Sequence, residues 1–199
     1  MSDLSDQQNK KGDANQQALI DSLSAHVLDL IDRGNQTPIV LIDGRAGSGK
    51  STFAEKLQQQ LFVDGESAPR VVHMDAIFEG WDGLSLGADY LVRFILNPLS
   101  RGETASWQDW SWVRNQRSTW REFSGGTPLI VEGCGALTER SKEHADISIW
   151  LEATEEIRRE RWLQRERHLD KFDFWAAQEL DFYAREKSQS LADLVIRTD

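Results

Sequence analysis

Pro38-Ile39-Val40-Leu41-Ile42-Asp43-Gly44-Arg45-Ala46-Gly47-Ser48-Gly49-Lys50-Ser51 is the stretch whose reading decides the fold. Its first six residues are a continuous apolar run closed by an aspartate, the pattern of a strand buried on both faces of a parallel sheet. The next eight match the phosphate-binding pattern G-x-x-x-x-G-K-[ST]. The glycines let the backbone curl so that successive N–H groups, those of Gly44, Ala46, Gly47, Ser48 and Gly49, turn toward one anion. A helix expected from Lys50 to about Leu61 adds the positive end of its dipole, with Thr52 in its first turn. Lys50 supplies a cation for the β and γ phosphates of a nucleoside triphosphate, and the Ser51 hydroxyl is suited to Mg²⁺. Strand, loop and helix stand in the order the motif requires, which sets it apart from a glycine-rich turn that happens to carry a lysine.

Outward from this loop the same alternation repeats. Arg70 to Met74 reads as a strand, and Tyr90, Leu91, Phe94, Ile95 and Leu99 mark a helix ended by Pro98 and Gly102. Leu129-Ile130-Val131 and Ile147 to Leu151 read as further strands. Two charged helices follow at 155–167 and 174–187, then a short strand at Ala192 to Ile196. Strands alternating with helices imply parallel βαβ units. The expected architecture is a three-layer α/β/α phosphate-loop NTPase fold around a mainly parallel five-stranded sheet. Upstream, Leu19, Ile20, Leu23, Val27, Leu30 and Ile31 recur at helical spacing, while residues 1–16 are polar and read as a disordered tail. Residues 17–199 are expected to form one domain.

The 199 residues are 39% hydrophobic and 28% charged, with a formal net charge of −10. That charge argues against a nucleic-acid surface, which needs clustered Lys and Arg. No run approaches the ~20 apolar residues of a spanning helix, and the start of the chain does not read as a signal peptide. The one cysteine, Cys134, reads as a small buried residue and fits a reducing compartment. A cytoplasmic protein is expected, with neither membrane nor nucleic acid as partner.

A phosphate loop by itself does not separate a kinase from a switch or a motor. Phosphoryl transfer needs a base or metal-linked carboxylate and cations for the migrating charge. Asp75 follows the second strand directly, where open α/β sheets form their ligand crevice. It is read as the base or as a carboxylate linked to Mg²⁺. Glu132 ends the third strand beside the same crevice, so Ser51, Asp75 and Glu132 form the expected metal set. Arg158, Arg161 and Arg165 share a helix face; Arg161 and Arg165 would close on phosphates as a lid, or the helix is salt-bridged in solvent through pairs such as Glu155–Arg159. Trp107-Gln108-Asp109-Trp110-Ser111-Trp112 is read as a loop. With Trp81 and Arg114, its Asp109, Trp110 and Trp112 would line a pocket for a planar or sugar-like acceptor; the alternative is loop packing over the core. His73, inside a strand, reads as packed.

Taken in order, these pieces resemble the uridine kinase and phosphoribulokinase group of phosphate-loop kinases. The resemblance runs from about Pro38 to Ile196. It rests on the phosphate loop, Met74-Asp75 with Phe78, the Trp107–Trp112 segment, Ile130-Val131-Glu132-Gly133, the arginine helix and Ala192-Asp193-Leu194-Val195-Ile196. It implies ATP with Mg²⁺, phosphoryl transfer to a hydroxyl of a small nucleoside- or sugar-like molecule, Asp75 as base, and Arg161 and Arg165 in the lid. Ala76, Ile77 and the stretch Gly80-Trp81-Asp82-Gly83-Leu84 depart from the uridine kinase pattern on the acceptor side. A nucleoside monophosphate kinase, with Arg114 or Arg117 on an acceptor phosphate, and a nucleotide-binding regulator with vestigial turnover are the alternatives. No Asn-Lys-x-Asp guanine-reading motif is present.

Overall fold

The computed structural model describes residues 14–65, 68–166 and 169–199. In chain order the elements are α1 (Ser2–Asp32), β1 (Ile39–Asp43), α2 (Lys50–Gly65), β2 (Arg70–His73), α3 (Leu84–Leu91), α4 (Asn97–Ser100), β3 (Ala105–Ser111), β4 (Gln116–Phe123), β5 (Leu129–Glu132), α5 (Glu139–Lys142), β6 (Ile147–Glu152), α6 (Glu155–Glu166), α7 (Phe172–Glu186), α8 (Ser188–Leu191) and β7 (Leu194–Arg197). A 3₁₀ turn at Met74–Ala76 follows β2, and a π-helical segment at Val92–Leu96 joins α3 to α4. Of the tail expected over residues 1–16, Ala14, Asn15 and Gln16 are helical in α1 and the rest lies outside the described residues. Arg167, expected at the end of the first charged helix, also lies outside them.

Five strands form one sheet in the order β2-β5-β1-β6-β7, and every neighbouring pair is parallel. Alternation along β1 divides the core in two. Val40 and Ile42 face α1 and α2, packing with Ile20, Leu23, Val27, Phe53, Leu57 and Leu61. Ile39 and Leu41 belong to the opposite layer, with Leu84, Leu91, Trp162, Phe172, Trp175 and Phe182. This is the three-layer α/β/α phosphate-loop fold, and the chain reaches it because each inner strand is apolar on both faces.

The Trp-rich segment is a strand, not a loop. Residues 105–111 pair antiparallel with β4 in a separate two-stranded sheet, and the register shifts between Gln108 and Trp110. Its tip is turned by Asn115 in the left-handed region, at φ 50°. No helix among the described residues is long and apolar enough to cross a membrane.

Candidate active site

The parallel register aligns the carboxyl ends of the central strands. Ile42 pairs with Glu132, and His73 pairs with the same Glu132 from the other side. The phosphate loop therefore leaves β1 level with the last residue of β5 and the turn after β2, which carries Asp75.

The loop is held from behind by two buried charges: Glu179, which the sequence reading left outside the site, and Arg158, which it placed on the arginine face of α6. Glu179 of α7 is 0% exposed and accepts the Ala46 N–H at 2.6 Å. It also accepts from Trp175 Nε1 at 3.1 Å and from Cys134 Sγ at 3.2 Å. Arg158 of α6 donates to the Ala46 carbonyl at 3.2 Å and stands 3.6 Å from the other Glu179 oxygen. Ala46 thus has both backbone groups claimed by the scaffold, and its N–H is not free for a phosphate. Gly47 is required by the same clamp: its φ is +83°, and a Cβ there would lie 2.5 Å from the Arg158 carbonyl. Arg161 bridges the loop to the final strand, donating to Gly47 O at 3.3 Å and to Thr198 Oγ1 at 3.1 Å. Thr198 Oγ1 in turn donates to Ser48 O at 2.8 Å. The buried Ser48 hydroxyl has no partner among the described residues.

Lys50 is buried, and its ammonium donates to the Arg45 carbonyl at 3.0 Å. Burial alone would lower its pKa, but Cys134, Glu132, Glu179 and Asp43 nearby hold it above the ordinary lysine value. Ser51 Oγ lies 3.2 and 3.3 Å from the two Glu132 oxygens. His73, read from sequence as packed, is half-exposed, and its Nδ1 sits 2.6 Å from Glu132 Oε1. That hydrogen bond raises the imidazole pKa against the opposing effect of desolvation. Asp75 lines the cavity and is exposed toward it, although surrounding protein strips much of its solvation. That desolvation, with the Glu132 charge, lifts its carboxyl above the usual range against Lys50, Arg165 and His73. A carboxylate held in this way is better suited to accepting a proton near neutral pH.

A cavity of about 1290 Å³ lies over the loop, and Lys50, Ser51, Thr52, Asp75 and Glu132 all open into it. Its aromatic side is formed by Phe78, Trp81, Trp112, Trp162 and Trp175. Trp81 stands 5.1 Å from Trp112 and 6.2 Å from Trp175, centroid to centroid, and the Trp112 indole donates to the Asp75 carbonyl at 2.9 Å. Of the acceptor-side residues expected from sequence, Trp81 and Trp112 line this cavity. Asp109, Trp110 and Arg114 are not among its lining residues. Trp112 lies just past the end of β3, in the turn toward β4, whereas Asp109 and Trp110 lie within the strand and are engaged across the hairpin. Asp109 pairs with Arg121 at 2.7 Å, and Trp110 lies under the Arg117 guanidinium. Arg117 itself is held by Glu79, Ile77 O and Gln108 O. Of the three arginines sharing a face of α6, Arg158 is a buried part of the loop clamp, while Arg161 and Arg165 line the cavity; Arg165 also pairs with Glu166.

Sequence spacing gave no sign of Glu179, because its loop partner lies 133 residues away. Its one legible trait was a glutamate on the apolar stripe of Phe172, Trp175, Phe182 and Tyr183. Asp43, at the end of β1, is likewise structural. It accepts from Gly44, Gly135, Leu137 and Tyr183, tying the loop's first residue to the segment after β5.

A family described as an AAA domain matches residues 40–181. Among solved structures, a possible uridine kinase from Bacillus stearothermophilus superposes with a TM-score of 0.62 at 19% identity, covering 89% of this chain and 96% of that one. A putative fructose transport system kinase from Silicibacter sp. TM1040 gives 0.57 at 22% identity, covering 89% and 98%. At these identities the likeness is one of fold. No curated protein is detectably similar in sequence.

Proposed function

The chain belongs to the AAA-domain family, and from that premise we propose that it is an ATP-dependent phosphotransferase acting on a hydroxyl of a small nucleoside- or sugar-like molecule. The observation that carries this reading is a single cavity into which the phosphate loop, Asp75, Glu132 and the Trp81–Trp112 wall all open. A switch or a simple nucleotide store has no need of a second, aromatic compartment beside a carboxylate.

In this reading the amides of Gly47, Gly49, Lys50 and Ser51 and the Lys50 ammonium hold the β and γ phosphates, the Ser48 N–H being spent on the Arg45 carbonyl. The acceptor lies against Trp81 and Trp112 with its hydroxyl toward Asp75. The hydroxyl oxygen bonds to the γ phosphorus as the bond to the β–γ bridging oxygen breaks, and its proton passes to the Asp75 carboxylate. Lys50, Arg161 and Arg165 offset the charge that develops on the departing ADP and the phosphoryl oxygens. A hydroxyl beside a carboxylate is a hard oxygen donor set, so Ser51 and Glu132, with Asp75 adjacent, suit Mg²⁺. Bound there, Mg²⁺ would neutralise phosphate charge.

The test is single-turnover transfer from γ-labelled ATP to a panel of nucleosides, sugars and polyols. Label is expected in at least one acceptor with the wild type, with the rate falling roughly 10²–10⁴-fold in Asp75→Asn. ATP binding without transfer to any member of a broad panel would overturn the phosphotransferase reading in favour of a nucleotide-binding regulator.

A further inference from the structure

We propose that helix α1 forms the base-reading wall of the nucleotide site, with Asn15 and Gln16 pairing to the edge of adenine and Leu19 against its face. This rests on the reading that the loop holds a nucleoside triphosphate, and it adds where the base lies and what recognises it.

The cavity extends across the strand ends to both faces of the sheet. Phe78 and Trp81 pack with the layer of α3 and α7, whereas Leu19 and Ile196, which also line it, pack with the layer of α1 and α2. The tryptophan wall stands on the first side, and Asp75 is tied to it through Trp112. The terminal phosphoryl group must point there for transfer to an acceptor. A triphosphate lying in the loop with that polarity directs its base the other way, toward α1.

Helix α1 is seated to receive it. It runs parallel to α2, with Gln17 bonded to Gln60 and Ser24 to Asp64, and Ile20, Leu23 and Val27 are buried beneath it. That parallel course brings its earlier turns beside the start of α2, where the loop ends. Leu19 and Ile196 are half-buried and offer apolar surface to a flat ring. Gln16 supplies direction. Lys56 donates to Gln16 Oε1 at 2.5 Å, and since an ammonium only donates, the amide oxygen must face Lys56 and the NH₂ must turn elsewhere. Asn15, the adjacent lining residue, carries a second amide. Paired donor and acceptor groups of Asn and Gln match the N6/N7 edge of adenine, whereas guanine offers two acceptors there.

The test is calorimetric titration of the full chain with MgATP, MgGTP and inorganic tripolyphosphate, using wild type, Asn15→Ala/Gln16→Ala and Lys50→Ala. Asn15 is exposed and Gln16 partly exposed on α1, and circular dichroism verifies that the double variant folds. The double variant is expected to bind ATP about tenfold more weakly, with tripolyphosphate unchanged. Lys50→Ala weakens both. ATP should also slow hydrogen exchange in residues 15–23 more than tripolyphosphate does. Equal ATP affinity in wild type and double variant, with the Lys50 effect intact, overturns the base wall and leaves the phosphate reading standing. Failure of the wild type to bind either triphosphate removes both.

Discussion

Glu179 accepts the Ala46 N–H at 2.6 Å from a helix 133 residues downstream, so the back of the phosphate loop is shaped by a buried acid. With Arg158 on the Ala46 carbonyl, the loop's curvature is set before any anion arrives. Pre-organisation of this kind keeps the remaining amides converged and reduces what binding must order.

Glu179→Ala should therefore cost stability as well as affinity. It strands the Arg158 charge and leaves the Ala46 and Trp175 N–H groups unpaired, a loss of about 3–5 kcal/mol. Glu179→Gln keeps an acceptor of the same shape; it should fold, lose less stability, and bind ATP more weakly. Urea denaturation and a fluorescent ATP analogue measure the two effects separately. An unchanged midpoint in Glu179→Ala would show that the clamp carries no weight.

Lys50→Ala removes the cation facing the β and γ phosphates, a charge-assisted contact worth about 1.5–3 kcal/mol. ATP affinity should drop at least ~10-fold. Since Lys50 is buried among Glu132, Glu179 and Asp43, its loss also leaves those carboxylates closer to uncompensated. The variant's melting temperature should fall in the absence of nucleotide. A variant with wild-type affinity would exclude the loop as the triphosphate site.

Trp112 and Trp110 now separate. Trp112 lines the cavity and donates to the Asp75 carbonyl; Trp110 sits under Arg117. With an acceptor identified, Trp112→Ala should raise its KM several-fold and leave that of ATP nearly unchanged. Trp110→Ala should act mainly on thermal stability. A larger acceptor effect from Trp110→Ala would restore the original reading of this segment.

Asp43 offers a pH signature. Burial pushes its carboxyl from 3.8 up to about 6, against the hydrogen bonds from Tyr183, Leu137 and Gly44 and the charge of Lys50. The folded chain therefore holds this proton more tightly than the unfolded chain does. The stability it contributes is present below pH 3.8 and is lost as the pH rises through about 6. Asp43→Asn cannot titrate, so the stability of wild type relative to the variant should shrink between pH 4 and pH 6. A flat difference across chemical denaturation curves at those pH values would mean that the donated hydrogen bonds outweigh burial.

The central strands were legible in the sequence because burial on both faces writes itself as unbroken apolar runs, as in Ile39–Ile42 and Ile147–Leu151. The phosphate loop was legible because its chemistry is local. The β3–β4 hairpin was not. A register shift between Gln108 and Trp110 breaks the alternation that marks a strand, and its partner Gln116–Phe123 is largely polar and exposed. The loop clamp was hidden for a different reason. Arg158 looks like any arginine on a charged helix, and only tertiary packing turns it inward against Glu179. His73 was misread because β2 is a half-buried edge strand, and its last residue emerges at the open strand end.

The strand order also bears on how the chain assembles. β1 is made early, yet its two neighbours are β5 and β6, each reached by a long crossover. Until synthesis has passed Leu129 the strand preceding the phosphate loop has no partner, and one row of its backbone groups waits until Ile147 and the rest of β6 are made. Such distant pairings are slow to close, and the waiting strand is apolar throughout. The nucleotide site is thus among the last parts of the molecule to become competent, although its defining residues leave the ribosome in the first third of the chain.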